Sequence, residues 1–236
     1  MRYFDVSQRS PEWYAVRIGV ATASCFDKIM TPAKRQFSKS ADDYAHQLIA
    51  EMFTGKNLEK FKPTYWMEHG TQYEMDAMKL YALETGYTLD RGGFMTNDEV
   101  TVGCSPDVRV LDSAGRVIGA AEIKCPAPDT HVANLLRDEI DPDYLLQVQG
   151  QIMVGDFGFV DWYSYNPDMP PKLIRTYPDE EVIADMRTNL EKFEDLLAKK
   201  IAHLETSGLV IKRTAERIQE IMPAPGATLE DFLAAG

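Results

Sequence analysis

The period of the hydrophobic pattern changes at residue 87, and no other feature restricts the possible fold as much. Before it, residues 41–54 and 64–85 read as helices, each followed by a glycine, Gly55 and Gly86, suited to a left-handed helix end. From 87 to 124 the chain breaks into short β-type runs, 87–89, 93–96, 99–104, 107–111 and 116–124. Turn signals such as Asn97-Asp98 and Asp112-Ser113-Ala114-Gly115 divide them. Asp141-Pro142 predicts a helix to about residue 154, with Asp as the cap and Pro at the first helical position. Strand character resumes at 157–165 and 172–177. Ile183, Met186, Leu190, Phe193, Leu197, Ile201 and Leu204 then recur at steps of three and four, which predicts a long helix over 179–205.

Ahead of these elements, residues 10–18 and 22–30 read as short helices, the second opening at Thr22 or Ser24, and 31–40 as a polar basic loop. This order predicts a single α/β domain over residues 1–211, a central mixed β-sheet flanked by helices. Residues 212–236, Pro/Ala/Gly-rich before a short apolar stretch, read as a tail or contact arm.

Charge narrows the partners. The net charge of −12 argues against an indiscriminately basic nucleic-acid binder. Residues 1–40 nevertheless carry seven Lys/Arg against three Asp/Glu, a balance of +4 that leaves −16 for the remainder. An acidic body with a basic N-terminal segment can hold a polyanion if the basic groups gather at one groove. No apolar run approaches the ~18 residues of a membrane helix, and the N-terminal segment MRYFDVSQRS lacks a signal-peptide core. Three cysteines without CxxC spacing suggest neither a disulfide framework nor a metal cluster, which fits a reducing cytoplasm.

Within the β-type region, GAAEIKCP (119–126) sets Glu122 and Lys124 two apart in an apolar run. On a strand both charges share one face, separated by roughly 6.6 Å, while Ala121, Ile123 and Cys125 take the other. The turn at 112–115 would fold 107–111 against 116–124 and bring Asp107 beside Glu122. Two carboxylates are hard oxygen ligands of the kind magnesium takes, and the backbone carbonyl of Ile123 could add a third oxygen. Lys124 could orient a water or stabilise a charged transition state. A solvated Glu/Lys pair on an edge strand is the competing interpretation.

Further candidates lie on the helices. Glu74 faces a largely apolar surface on 64–85, where a carboxylate needs a partner. Of the three glutamines at 147, 149 and 151, Gln149 has Leu145, Leu146, Ile152 and Met153 as its helical neighbours and is expected to face inward. Its amide could donate to a phosphate or a water, or make a structural bond to backbone. Arg17, with Thr22 and Ser24 at a helix start, offers a pocket for a terminal phosphate; a helix-end surface charge is the alternative.

Together, PEWYAVRIGVATAS (11–24), HGTQYEMDA (69–77), CSPD (104–107), EIKCP (122–126) and YLLQVQGQ (144–151) resemble the lambda exonuclease family, the YqaJ-type viral recombinases of the PD-(D/E)xK nuclease superfamily. The match in order and spacing covers roughly the first 165 residues, with Val108 standing where the family often has Gly. The resemblance implies a restriction-endonuclease-like core and a magnesium-dependent enzyme, holding two ions that manganese can replace. Such an enzyme degrades the 5′ strand of a double-stranded DNA end processively and leaves a 3′ overhang. It assigns metal binding to Asp107, Glu122 and the Ile123 carbonyl, aid to the attacking water to Lys124, and support of the metal–water cluster to Glu74. It assigns the grip on the 5′ phosphate to Arg17, Ser24, Ser105 and Gln149. It also implies a homotrimeric ring around DNA, a single-strand annealing protein as partner, and a phage or prophage origin in a bacterial host cytoplasm. A structure-specific endonuclease or repair nuclease of the same fold, and a non-catalytic DNA-end scaffold, are the other functions such a chain could serve.

Overall fold

An unbroken buried run, GAAEI at residues 119–123, lies at the centre of the larger sheet, on β7 (Val117–Lys124). The computed structural model describes residues 1–58, 65–91 and 93–211. β7 pairs antiparallel with β6 (Val108–Leu111) and parallel with β8 (Val160–Asn166). β3 (Thr88–Arg91) and β9 (Met169–Thr176) complete a five-stranded mixed sheet in the order β3-β6-β7-β8-β9. The parallel β7–β8 pair needs a crossover, which α4 (Pro128–Leu135) and α5 (Pro142–Gly155) provide. A strand flanked on both sides and covered on both faces reads as a continuous apolar run.

A second sheet of four strands runs β1-β4-β5-β2, formed by Arg2–Phe4, Phe94–Thr96, Val102–Cys104 and Ala21–Thr22. The five-stranded sheet is the central mixed sheet expected from the sequence, and the four-stranded sheet stands in addition to it. The chain leaves the second sheet after Cys104 and joins the first at Val108, with Ser105-Pro106-Asp107 between. Pro106 has no N–H to give a ladder, so the segment suits a junction.

Helices pack on both faces of the five-stranded sheet. α2 (Ala41–Thr54), α5 and α6 (Glu180–Thr206) enclose one core with Ala120, Val160 and Trp162. α3 (Tyr65–Thr85) closes the other with Val108, Val110, Ala121, Ile123 and Tyr163. α1 (Pro11–Arg17) starts at Ser10, whose hydroxyl accepts from Trp13 N. The expected helix over 22–30 is instead a 3-10 helix, Ala23–Lys28. Thr22 makes no side-chain cap, and its hydroxyl lies 3.2 Å from that of Ser24. The three-residue period places Ala23 and Phe26 together against Gly150 of α5. A Cβ at Gly150 would lie 2.6 Å from the Phe26 ring, so this close approach requires glycine.

α4 was not expected from the sequence. Its buried residues are His131 and Asn134, which both bond Ser164 Oγ, so its inward face carries no apolar period. Residues 212–236, expected as a tail, lie outside the described residues. No helix among the described residues is long and apolar enough to cross a membrane.

Candidate active site

The β6–β7 ladder pairs Val108 with Ala121 and Arg109 with Ala120, so one step further Asp107 stands opposite Glu122. Asp107 Oδ2 accepts the Ile123 N–H at 2.7 Å, which fixes the carboxylate at the strand end. Ile123 points its side chain into the α3 core, leaving Glu122 and Lys124 on the opposite face, toward α5.

Glu122 is 4% exposed, and a buried carboxylate needs hydrogen-bond donors. Three supply them: Lys124 Nζ and Gln147 Nε2 each lie 2.7 Å from Oε1, and Gln151 Nε2 lies 2.6 Å from Oε2. Gln147 and Gln151 are one helical turn apart on α5, so both amides reach the same group. The Lys124 ammonium also lies 5.1 Å from the centre of the Tyr144 ring.

Burial pushes the Asp107 carboxyl well above the ordinary carboxylate range, and the charges of Glu122 and Glu74 push it further; Lys124 and the Ile123 N–H oppose them. Burial would lower the Lys124 pKa, but Glu122 and Asp107 outweigh it and hold the ammonium above its usual value. Burial, with Glu74 and Asp107, raises the Cys125 thiol to about 12. The Cys104 thiol is raised by burial and by Glu122, with Arg17 pulling the other way, so Glu122 and Arg17 converge on one buried residue.

The phosphate-side candidates join through Ser105. Its hydroxyl donates to Gly93 O at 2.8 Å and accepts from Trp13 Nε1 at 3.0 Å and Gln8 Nε2 at 3.1 Å. Trp13 carries the Arg17 guanidinium on its ring face, 4.0 Å from the centroid. Ser105, Trp13 and Arg17 therefore form one connected unit beside Asp107. Glu74 is paired with Arg9 at 2.9 Å and lies close enough to Asp107 to act on its charge. Ser24 is exposed on the 3-10 helix, with its hydroxyl against Thr22.

Gln149 faces inward as the helix pattern predicts, but it makes the structural bonds to backbone that were the alternative there and does not reach Glu122. It is buried, but its amide donates to Tyr177 O at 2.9 Å and accepts from Asp179 N at 3.0 Å. The α5 face that meets Glu122 carries Gln147 and Gln151, which the sequence reading set aside because apolar neighbours marked Gln149 as the inward residue. The i,i+4 spacing of the outer pair was the available signal. In the basic loop, Arg35 faces Glu181 and Asp185 of α6, each at 3.6 Å, and its carbonyl accepts from Asn189, so the loop is fastened to α6.

A divalent cation fits the donor set at Asp107 and Glu122. Two carboxylates stand side by side with hard oxygens, and the charge of Glu122 raises the cost of ionising Asp107. Gln151 Oε1, on the amide that holds Glu122, is a buried acceptor without a hydrogen-bond partner among the described residues. A water with a proton to donate there would satisfy it. Elsewhere, Asp42, Asp43 and His46 bring ligand atoms within 4.8 Å of one another, but all three are exposed and Asp42 is held by Lys200 at 2.8 Å.

The chain is similar to an alkaline exonuclease, LHK-Exo, from Laribacter hongkongensis, at 29% identity and a TM-score of 0.73, covering 84% of this chain and 98% of that one. The same protein in complex with dAMP matches equally. A phage related exonuclease from Haemophilus somnus 129PT shares the fold at 15% identity and a TM-score of 0.58, over 78% of this chain and 96% of that one. No curated protein matches the sequence. A family model for the YqaJ-like viral recombinase domain matches residues 12–158, which hold the Arg17, Ser105, Asp107, Glu122 and Lys124 positions, and the chain belongs to that family.

Proposed function

We propose that this chain is a magnesium-dependent exonuclease that digests the 5′-ended strand of double-stranded DNA processively and leaves 3′ single-stranded overhangs for recombination by strand annealing. The observation that carries the proposal is the Asp107–Glu122–Lys124 cluster, with Glu122 held by two glutamine amides and one ammonium. The exonuclease activity of similar proteins supports the same reading, as does the complex of one of them with dAMP, a nucleoside monophosphate of the kind such digestion releases.

Asp107, Glu122 and the Ile123 carbonyl would hold the cation. When bound, it supplies Lewis acidity toward the phosphate and the attacking water. The protein's own groups do the positioning. Gln147 and Gln151 fix the rotamer of Glu122, and the Ile123 N–H fixes Asp107. Lys124 donates to the attacking water or to the developing charge on the phosphate, and Glu74 supports the polar cluster from α3. Arg17, on its tryptophan platform, and Ser105 offer donors to the 5′ phosphate, with Ser24 at the rim. Gln149 acts on the fold that carries them.

A homotrimeric ring, an annealing-protein partner and a phage-encoded role in a bacterial cytoplasm complete the reading. A ring would reconcile processive hold on DNA with an acidic exterior, because contact with the polyanion is confined to one lined channel. The test compares linear duplexes with and without a 5′ phosphate, beside a closed circle, with magnesium and with a chelator. Magnesium-dependent nucleotide release from the 5′-phosphorylated linear duplex is expected. Cleavage of the closed circle would point to an endonuclease, and absence of any release to a DNA-end scaffold.

A further inference from the structure

Arg9 holds a backbone conformation that its side chain makes costly. Its φ is +66°, in the left-handed region that suits glycine. The neighbours impose it. Gln8 is pinned by its amide, which donates to Pro106 O at 2.8 Å and to Ser105 Oγ at 3.1 Å. Ser10 caps α1, and its N–H donates to Ser7 O at 3.0 Å. A glycine between these two fixed residues would relieve the strain, so an arginine there points to a use for its side chain.

The guanidinium is aimed at the carboxylate cluster. Its Nη2 lies 2.9 Å from Glu74 Oε2, with the Arg9 side chain 53% exposed and that of Glu74 13% exposed. Glu74 acts on the charge of Asp107, and Gln8 grips the two residues before Asp107. Two guanidinium groups therefore connect to the segment that carries Asp107: Arg17 through Trp13 and Ser105, and Arg9 through Glu74. Arg17 is buried, whereas Arg9 is exposed at the edge of the cluster.

We propose that Arg9 is a further contact to the DNA backbone, its guanidinium exchanging Glu74 for a phosphate of the bound duplex end. The proposal rests on the nuclease reading and adds to it a residue that neither the sequence motifs nor the buried cluster contains. An ion pair with a half-exposed arginine is weak in water and holds little against a competitor. A phosphate offers the planar guanidinium two acceptor oxygens, and each phosphate neutralised releases counterions from the duplex. Pairing with Glu74 orients the guanidinium before DNA arrives, which reduces the rotamer freedom lost on binding.

Equilibrium binding of a 5′-phosphorylated linear duplex tests it, measured by fluorescence anisotropy in a chelator across a salt series. Arg9→Gly removes the side chain and relaxes the backbone, Arg9→Asn removes the charge and tolerates the left-handed conformation, and Arg9→Lys keeps the charge. The first two are expected to weaken binding about tenfold at low salt. They should also lower the slope of log affinity against log salt by about 1, while Arg9→Lys keeps the slope. Glu74→Gln removes the competitor and should tighten binding about fivefold more with Arg9 present than in the Arg9→Gly background. Wild-type affinity and slope in Arg9→Gly would overturn the proposal and leave Arg9 as the counterion of Glu74 alone. Equal effects of Glu74→Gln in the two backgrounds would do the same. A wild type that binds no duplex end would sink the nuclease reading and this proposal together. Digestion by a wild type whose binding slope Arg9→Gly leaves unaltered would sink only this one.

Discussion

Replacing Gln149 by leucine separates a role in the fold from a role at the DNA end. Leucine keeps most of the volume but removes the donor to Tyr177 O and the acceptor for Asp179 N. Asp179 is also the N-cap of α6, accepting from Glu181 N and Val182 N, so Gln149 secures the start of a 27-residue helix. Tyr177 and Asp179 border solvent, so water can re-satisfy part of what is lost, and each bond is worth about 1 kcal/mol rather than the full cost of an orphaned group. The loss is then about 2 kcal/mol, which lowers Tm by roughly 4–8 °C in a domain of this size. Thermal denaturation followed by circular dichroism measures that shift. Digestion at a temperature well below the variant's Tm, on duplexes with and without a 5′ phosphate, should show an unchanged preference between them. An unchanged Tm with a lost preference for the phosphorylated end would refute the structural role and return Gln149 to the phosphate.

Gln147→Leu and Gln151→Leu remove donors from Glu122 and should each raise the magnesium concentration for half-maximal rate by about 10- to 100-fold, measured by metal titration of nucleotide release. Lys124→Ala and Glu122→Ala should abolish hydrolysis and keep affinity for a linear duplex end, read by gel shift with a chelator; normal digestion by either would exclude the site. Magnesium at about ten times its dissociation constant should stabilise the wild type by about 1.4 kcal/mol, raising Tm by roughly 3–6 °C, and the rise should vanish in Asp107→Asn and Glu122→Gln. Arg175→Met leaves Asp161, 0% exposed and held by Arg175 and Tyr81, with only the tyrosine, so denaturant unfolding should show a loss of about 3–5 kcal/mol.

The legible parts of the fold were those in which burial writes a period into the sequence. α2, α3, α5 and α6 each end or begin at capping chemistry that can be read directly, and β7, Val117–Lys124, lies within the strand expected at 116–124. The illegible parts have reasons of their own. β1 and β2 are three and two residues long, too short for a period. α4 turns His131 and Asn134 inward, where Ser164 and a backbone carbonyl satisfy them, so its core face looks polar. The separation into two sheets depends on where Ser105-Pro106-Asp107 leaves one ladder for another, a long-range choice that local pattern does not encode.

The site divides in the same way. Asp107, Glu122 and Lys124 were legible because a hairpin with a readable turn fixes which residues face each other, and the period of two fixes which side they take. The glutamines were not, because a helix face has meaning only relative to what the helix packs against. Apolar neighbours placed Gln149 inward correctly, and it is 1% exposed. Inward on α5 means two different places, however: toward the β9–α6 turn for Gln149, and toward β7 for Gln147 and Gln151. Burial was the wrong criterion for choosing among them. A buried carboxylate on a neighbouring strand demands donors one helical turn apart, and the pair with that spacing was the one that met it.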